Sequence, residues 1–194
     1  MLLILIPHFS FFLYNSFMDT RRLLALSDTH GHISALETVL DWVKDNYTVD
    51  TVVFLGDGID DLRRTPMTKH FPCEWVMVRG NNDFGFSLPE TVCLDWRGHR
   101  FFACHGHRHA LYRNNDTLVA AARGMEADVV LFGHAHVPSC ENTRGILLVN
   151  PGSIGRPRSR IGASFAIIES LPEQALDVRF WGFGLRGEIK EISP

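Results

Sequence analysis

Six short apolar runs in this chain each stop on a glycine or a polar cluster: "RLLALSD" (22–28), "TVVFLGDG" (51–58), "WVMVRGNND" (75–83), "RFFACHGHRH" (100–109), "DVVLFGHAH" (128–136) and "GILLVNPGS" (145–153). Runs of this length with no polar alternation read as strands buried on both faces. The first strand is expected at Leu23–Ser27. Leu36, Val39, Leu40 and Val43 then recur at helical spacing, which predicts a helix over 35–46 with Ser34 as its cap. A second helix is expected over Asp116–Arg123. Two late strands, near 163–169 and 176–182, come before "GFGLRGEI", which reads as a turn and an edge strand. Strands alternating with helices make an α/β sheet, and such sheets gather ligands at the carboxyl ends of their strands. Five strand ends here present possible ligands: Asp28 with His30, then Asp57, Asn81, His105, and finally His134 with His136.

Composition narrows the function classes. The chain has 194 residues, 45% hydrophobic and 21% charged, with a formal net charge of -3. That size suits one domain, expected over 18–194. The charge argues against extended nucleic-acid binding, which needs clustered basic residues. Cys73, Cys93, Cys104 and Cys140 form no CxxC pair, so reduced thiols and a cytoplasmic setting are expected. Residues 1–17 ("MLLILIPHFSFFLYNSF") are strongly apolar, yet Pro7, His8 and Asn15 interrupt them and no basic n-region is present. The expectation is a non-core extension ahead of Met18, with no membrane association.

Taken one at a time, the polar clusters have ordinary explanations. Asp28 could cap a helix, "GDG" around Asp57 is a common turn, and Asn81–Asn82 is another. His8, His32, His70, His99 and His109 read as surface or packing histidines. Asp60 and Asp61 read as a solvated loop or cap, and Asp83 as a turn residue or a support for a ligand. Together, four imidazoles and three carboxylate or amide groups suit Mn, Fe, Zn, Ni or Co, and Cys104 should point away from His105. Seven ligands exceed one tetrahedral zinc. They suit two ions that share a bridging carboxylate, an arrangement fit for displacement at phosphorus.

The ordered set "DTH … GD … GNND … HGH … GHAH" resembles the calcineurin-like metallophosphoesterase superfamily, in particular its small bacterial and archaeal phosphodiesterases. The resemblance covers residues 22–182. It implies a four-layer αββα sandwich of two mixed sheets with flanking helices. It also implies two divalent metal ions, with Mn first and Ni, Fe, Zn, Co or Mg as alternatives. Asp28, His30 and His136 would hold the first ion, Asp57 would bridge, and Asn81, His105 and His134 would hold the second. In that arrangement a hydroxide activated by both metals attacks a small phosphoester. The two histidines of "GHAH" would serve different metals, both pointing one way along an extended segment while Ala135 faces the core. Gly56, Gly80, Gly106 and Gly133 would let the chain turn at the strand ends.

One position departs from the family pattern. Asn82 stands where a histidine usually contacts the phosphate. An amide can donate to phosphate oxygen but cannot act as a general acid near pH 7. His107 shares a face with His105 and is a weaker candidate for substrate contact. "NPGS" (150–153) matches a family loop with an expected structural role, and Arg156, Arg158 and Arg160 beyond it suit either phosphate steering or a solvated loop. Phosphodiester hydrolysis is the leading expectation. Phosphomonoester or nucleotide hydrolysis on the same site is one alternative. A non-catalytic scaffold of the same fold, like the retromer subunit, is another. A homo-oligomer is compatible with the sequence.

Overall fold

The computed structural model describes residues 21–194 apart from 112, 113, 172 and 174; the expected extension over 1–17 lies outside the described residues. The elements are β1 (Arg22–Leu26), α1 (Ile33–Asn46), β2 (Thr51–Phe54), α2 (Ile59–Arg64), a 3-10 turn (Pro66–Lys69), β3 (Glu74–Met77), β4 (Thr91–Trp96), β5 (His99–Cys104), α3 (Asp116–Gly124), β6 (Val129–Phe132), β7 (Pro138–Thr143), β8 (Ile146–Pro151), β9 (Ser164–Ser170), β10 (Leu176–Phe183) and β11 (Ile189–Ile192). They build a six-stranded sheet, ordered β11-β10-β9-β1-β2-β3, and a five-stranded sheet, ordered β4-β5-β6-β8-β7. Both are mixed. β1, β2 and β3 run parallel, as do β5, β6 and β8, while the remaining pairs are antiparallel.

The apolar runs are continuous because each central strand is covered on both faces. Leu23 and Ala25 of β1 pack between the sheets against Phe101, Ala103, Val129 and Leu131. Leu24 and Leu26 point the other way, onto Leu36, Val39, Leu40 and Val43 of α1. Phe102 and Cys104 of β5 face Leu118, Val119 and Ala122 of α3. Three apolar layers therefore separate helix, sheet, sheet and helix, which is the expected αββα sandwich. Among the described residues, no helix is long and apolar enough to cross a membrane.

Helix α1 begins earlier than the sequence suggests. Its N-cap is His32, and Ser34 sits inside the first turn instead of capping it. The Thr29–His32 turn, closed by the His32 amide donating to Thr29 O at 2.9 Å, starts the helix two residues sooner.

Parallel in-register pairing positions the site. Leu26 pairs with Phe54, so the loops after β1 and β2 emerge side by side. Cys104 pairs with Phe132, so the loops after β5 and β6 do the same on the other sheet.

Candidate metal centre

Asp28 is fully buried just past the end of β1. Its Oδ2 accepts from Ser27 Oγ at 2.5 Å and from the His134 amide at 3.0 Å. Its Oδ1 has no hydrogen-bond donor among the described residues and faces three imidazoles. His136 Nε2 lies 3.0 Å away, His30 Nε2 3.5 Å and His105 Nε2 4.0 Å. His30 Nε2 and His136 Nε2 are only 3.3 Å apart. Asp57 Oδ2 lies between the two halves, 3.6 Å from His30 Nε2 and 3.4 Å from His105 Nε2. Potential ligand atoms converge in two groups, Asp28–His30–His136 and Asp28–Asp57–His105. Asn81 Oδ1 adds a 3.1 Å contact to His105 Nε2. The His134 ring sits 5.1 Å from that of His105, centroid to centroid.

The tautomers follow from the far sides of the rings. His136 Nδ1 is 2.5 Å from the Arg156 carbonyl, and His105 Nδ1 is 2.6 Å from the Leu55 carbonyl. A carbonyl only accepts, so each Nδ1 carries the proton and each Nε2 is left with a lone pair. Those lone pairs point at carboxylate oxygens. Acceptors that face acceptors at 3–4 Å need positive charge between them, a second ring proton or a cation. The donor set therefore fits divalent metal.

The electrostatics agree. Burial raises the Asp28 pKa, but contacts from His136 and His30 with the charge of His105 outweigh it, so the carboxyl lies below its ordinary range. Asp57 shifts the same way, with burial opposing and His105 and Asn82 prevailing. For His105 burial works downward, yet Asp57 and Asp28 carry its pKa above the usual value. His134 and His107 are lowered, first by burial and then by the charge of His105, which favours neutral rings.

Backbone conformation marks the same residues. Asp28, His30, Asp57, His134 and His136 have φ between 44° and 63°, which non-glycine residues rarely adopt. Such strain persists where surrounding bonds over-determine it. Asp83 supplies much of that constraint. Its Oδ2 accepts from the Asp57 and Gly80 amides at 2.7 and 2.8 Å, and its Oδ1 from Gly58 and Ile59, both at 2.9 Å. Asp61 does likewise for His30, accepting from Thr29 Oγ1 at 2.5 Å and the Gly31 amide at 2.8 Å.

Three readings of the sequence need correction. Asp61 is buried, not solvated, while Asp60 is exposed as expected. The "GHAH" segment is not extended, because His134 and His136 are left-handed and Ala135 is half-buried outside the core. Gly80 and Gly133 serve close approach more than turning. A Cβ on Gly80 would meet Asp57 Oδ1 at 2.1 Å, and one on Gly133 would meet Ser27 Oγ at 2.1 Å.

Asn82 hangs over Asp57, donating from its amide to Oδ1 at 2.7 Å and from Nδ2 to Oδ2 at 2.5 Å. The "NPGS" loop is structural. Asn150 Nδ2 donates to Gly133 O at 2.9 Å and Ser153 Oγ to Asp28 O at 2.8 Å. Above the cluster lies a cavity of about 370 Å³ lined by His30, Asp57, Asn81, Asn82, His134, His136 and the segment Arg156–Arg158. His107 is not among its lining residues. The His107 ring stands 5.5 Å from that of His105, and its buried Nδ1 has no hydrogen-bond partner among the described residues.

An αββα sandwich that gathers carboxylates and imidazoles at the ends of its parallel strands defines a metallophosphoesterase. The profile of the calcineurin-like phosphoesterase superfamily domain matches residues 22–171, and the chain belongs to that superfamily. It is 32% identical over 158 residues to the probable metallophosphoesterase YsnB of Bacillus subtilis, covering 81% of this chain and 89% of that one. It is 27% identical over 171 residues to the phosphodiesterase YfcE of Escherichia coli, covering 77% and 88%. Among solved structures, a predicted phosphoesterase from Streptococcus pneumoniae matches with a TM-score of 0.70 and 30% identity over 91% of this chain and 99% of that one. Vps29 of Chaetomium thermophilum matches with a TM-score of 0.72 at 19% identity, over 88% and 95%, a likeness of fold.

Proposed function

We propose that this chain is a metal-dependent phosphodiesterase with a dinuclear site. The observation that carries the reading is the set of inward-facing ring nitrogens, His136 Nε2, His30 Nε2 and His105 Nε2, around Asp28 and Asp57 beneath an open cavity. In this reading Asp28, His30 and His136 would hold one ion, Asn81, His105 and His134 would hold the other, and Asp57 would serve both. Asp28 also reaches both halves, which the sequence did not suggest. Two divalent ions held there, with Mn as the first candidate, would make water nucleophilic near neutral pH and would offset charge developing on the phosphate.

The protein's own groups do the rest. The Asn82 amide has a second N–H beyond the one given to Asp57, free to donate to a phosphate oxygen. The carboxyl and imidazole groups that line the cavity among the described residues, Asp57, His30, His134 and His136, are those assigned to metal in this reading, so the leaving group departs with its own charge. His107, its ring 5.5 Å from that of His105 and 6.2 Å from that of His134, stands beside the site as the weaker candidate for substrate contact. The phosphodiesterase name of the Escherichia coli relative supports the diester preference. The four free cysteines fit a cytoplasmic setting.

The test is a series of aryl diesters that differ in leaving-group pKa, assayed on the Mn-loaded protein. A steep fall in kcat/KM as the leaving group becomes more basic is expected. A flat series would mean that a protein group protonates it, and faster cleavage of the matching monoesters would make the protein a monoesterase.

A further inference from the structure

Strand β3 is one edge of the six-stranded sheet. The Glu74 amide donates to Asp50 O at 2.9 Å and the Val78 amide to Phe54 O at 3.0 Å, so residues 74, 76 and 78 turn their backbone groups toward β2. Alternation turns those of Trp75, Met77 and Arg79 outward. The Arg79 amide is met there by Pro89 O at 2.8 Å. The amides and carbonyls of Trp75 and Met77 have no hydrogen-bond partner among the described residues. Free sheet edges are normally blunted by charge or proline. β11 carries Lys190 and Glu191, β4 carries Asp95, and β7 opens on Pro138 and carries Glu141. β3 has only Glu74, at its first residue, and two large apolar side chains at its outward positions.

Trp75 and Met77 also line a groove of about 530 Å³, together with Ile59, Leu62, Phe86 and Leu88. Arg63 and Lys69 line it too, and no carboxylate does among the described residues. Both cations are exposed, and among the described residues neither has a hydrogen bond or an ion pair. The Arg63 guanidinium stands 5.4 Å from the centroid of the Phe86 ring, which holds its charge at the groove. An open edge supplies main-chain hydrogen bonds, and a groove beside it takes every second side chain of an added strand. We propose that β3 and this groove dock an extended peptide of a protein partner, apolar at alternate residues and flanked by Asp or Glu that match Arg63 and Lys69. A second copy on the same edge would bring Arg63 and Lys69 against their own kind, which repulsion disfavours. The docking site holds whether or not the metal centre cleaves phosphodiesters.

The test uses a fluorescein-labelled peptide with the core Val-Thr-Ile-Thr-Val and two acidic residues at each end, titrated with the full chain and read by anisotropy. Saturable binding is expected. Two further peptides carry N-methyl groups on the backbone, one on the Val and Ile amides and one on the Thr amides. Only one of these sets faces β3 in an added strand, so one peptide should bind about tenfold or more weakly and the other as the parent does. Lysine in place of the acidic residues, or Arg63→Ala/Lys69→Ala in the protein, should weaken the parent peptide about fivefold. Both replaced side chains are exposed, and an unchanged thermal midpoint would show that the variant folds. Amide hydrogen exchange followed by NMR should slow at Trp75 and Met77 when the parent peptide is bound. No saturable binding overturns the proposal, as does equal binding of the two methylated peptides or exchange at Trp75 and Met77 that the peptide leaves unchanged. A concentration-dependent dimer that protects the same two amides without peptide would give the edge to a second copy and also overturn it.

Discussion

Asp28 Oδ1 lies 3.0 Å from His136 Nε2, while the opposite nitrogen of the same ring donates to the Arg156 carbonyl. Two acceptors held that close are compatible only with a proton or a metal ion on the ring nitrogen. Metal binding and protonation therefore compete at this cluster.

The competition has a direction. The His105 pKa is raised on folding, so in the metal-free protein its contribution to stability is present below about pH 6.5 and is lost as pH rises through the raised value. Metal needs the neutral ring and acts in the opposite sense. The rise in thermal midpoint on adding Mn should be larger at pH 8 than at pH 6. Calorimetry in two buffers of different ionisation enthalpy should detect proton release. A metal effect independent of pH across this range would count against the ligand assignment.

Asp83 accepts four backbone N–H groups with two oxygens. Asp83→Asn would turn an NH2 against two of those donors. Leaving buried donors unmet costs roughly 1–3 kcal/mol, so a loss of about 2–4 kcal/mol is expected from urea denaturation at constant slope. The loop carrying Asp57 should move with it, and kcat should fall at least tenfold. Asp60→Asn, on the exposed neighbour, should stay within about 0.5 kcal/mol.

The central strands were legible because burial on both faces leaves β1, β2, β5, β6 and β8 as unbroken apolar runs. β4 and β7 escaped notice because they are the two edges of the five-stranded sheet, where half the residues face water and the apolar signal thins. α2 is six residues, "IDDLRR", too short for a helical period to show. The polar residues after each strand could be read as a group because strand ends converge. What those residues do to one another could not. Asp61 looked solvated because its partners, Thr29 and Gly31, are about thirty positions away in the chain. The left-handed backbone at His134 and His136 has no mark in "GHAH", since it is imposed by the Asp28 and Arg156 contacts across the fold.

That strain can be measured. His30 sits at φ 44°, where a β-carbon is costly and glycine is not. His30→Ala and His30→Gly both remove the ring. In the metal-free protein the glycine variant should be the more stable by about 1 kcal/mol, the reverse of the usual order. Equal midpoints would mean that the backbone relaxes once the ring is gone.

The cysteines report on packing. Burial pushes the Cys104 thiol up to about 12 and Cys73 to about 11, whereas Cys93 and Cys140 are exposed. At pH 8 alkylation mapped by mass spectrometry should label Cys93 and Cys140 first and leave Cys104 unmodified until denaturant is added. Early labelling of Cys104 would mean that the α3 layer opens in the native state.

The most direct measurement is hydrolysis of bis-p-nitrophenyl phosphate by protein stripped of metal and then given Mn, Ni, Zn or Mg, with Asp57→Asn and His134→Ala alongside. Turnover that returns with metal, is lost by at least a hundredfold in both folded variants, and saturates at two ions per chain is the predicted result. A folded protein that binds no metal, or turnover that survives Asp57→Asn, would contradict the dinuclear phosphodiesterase.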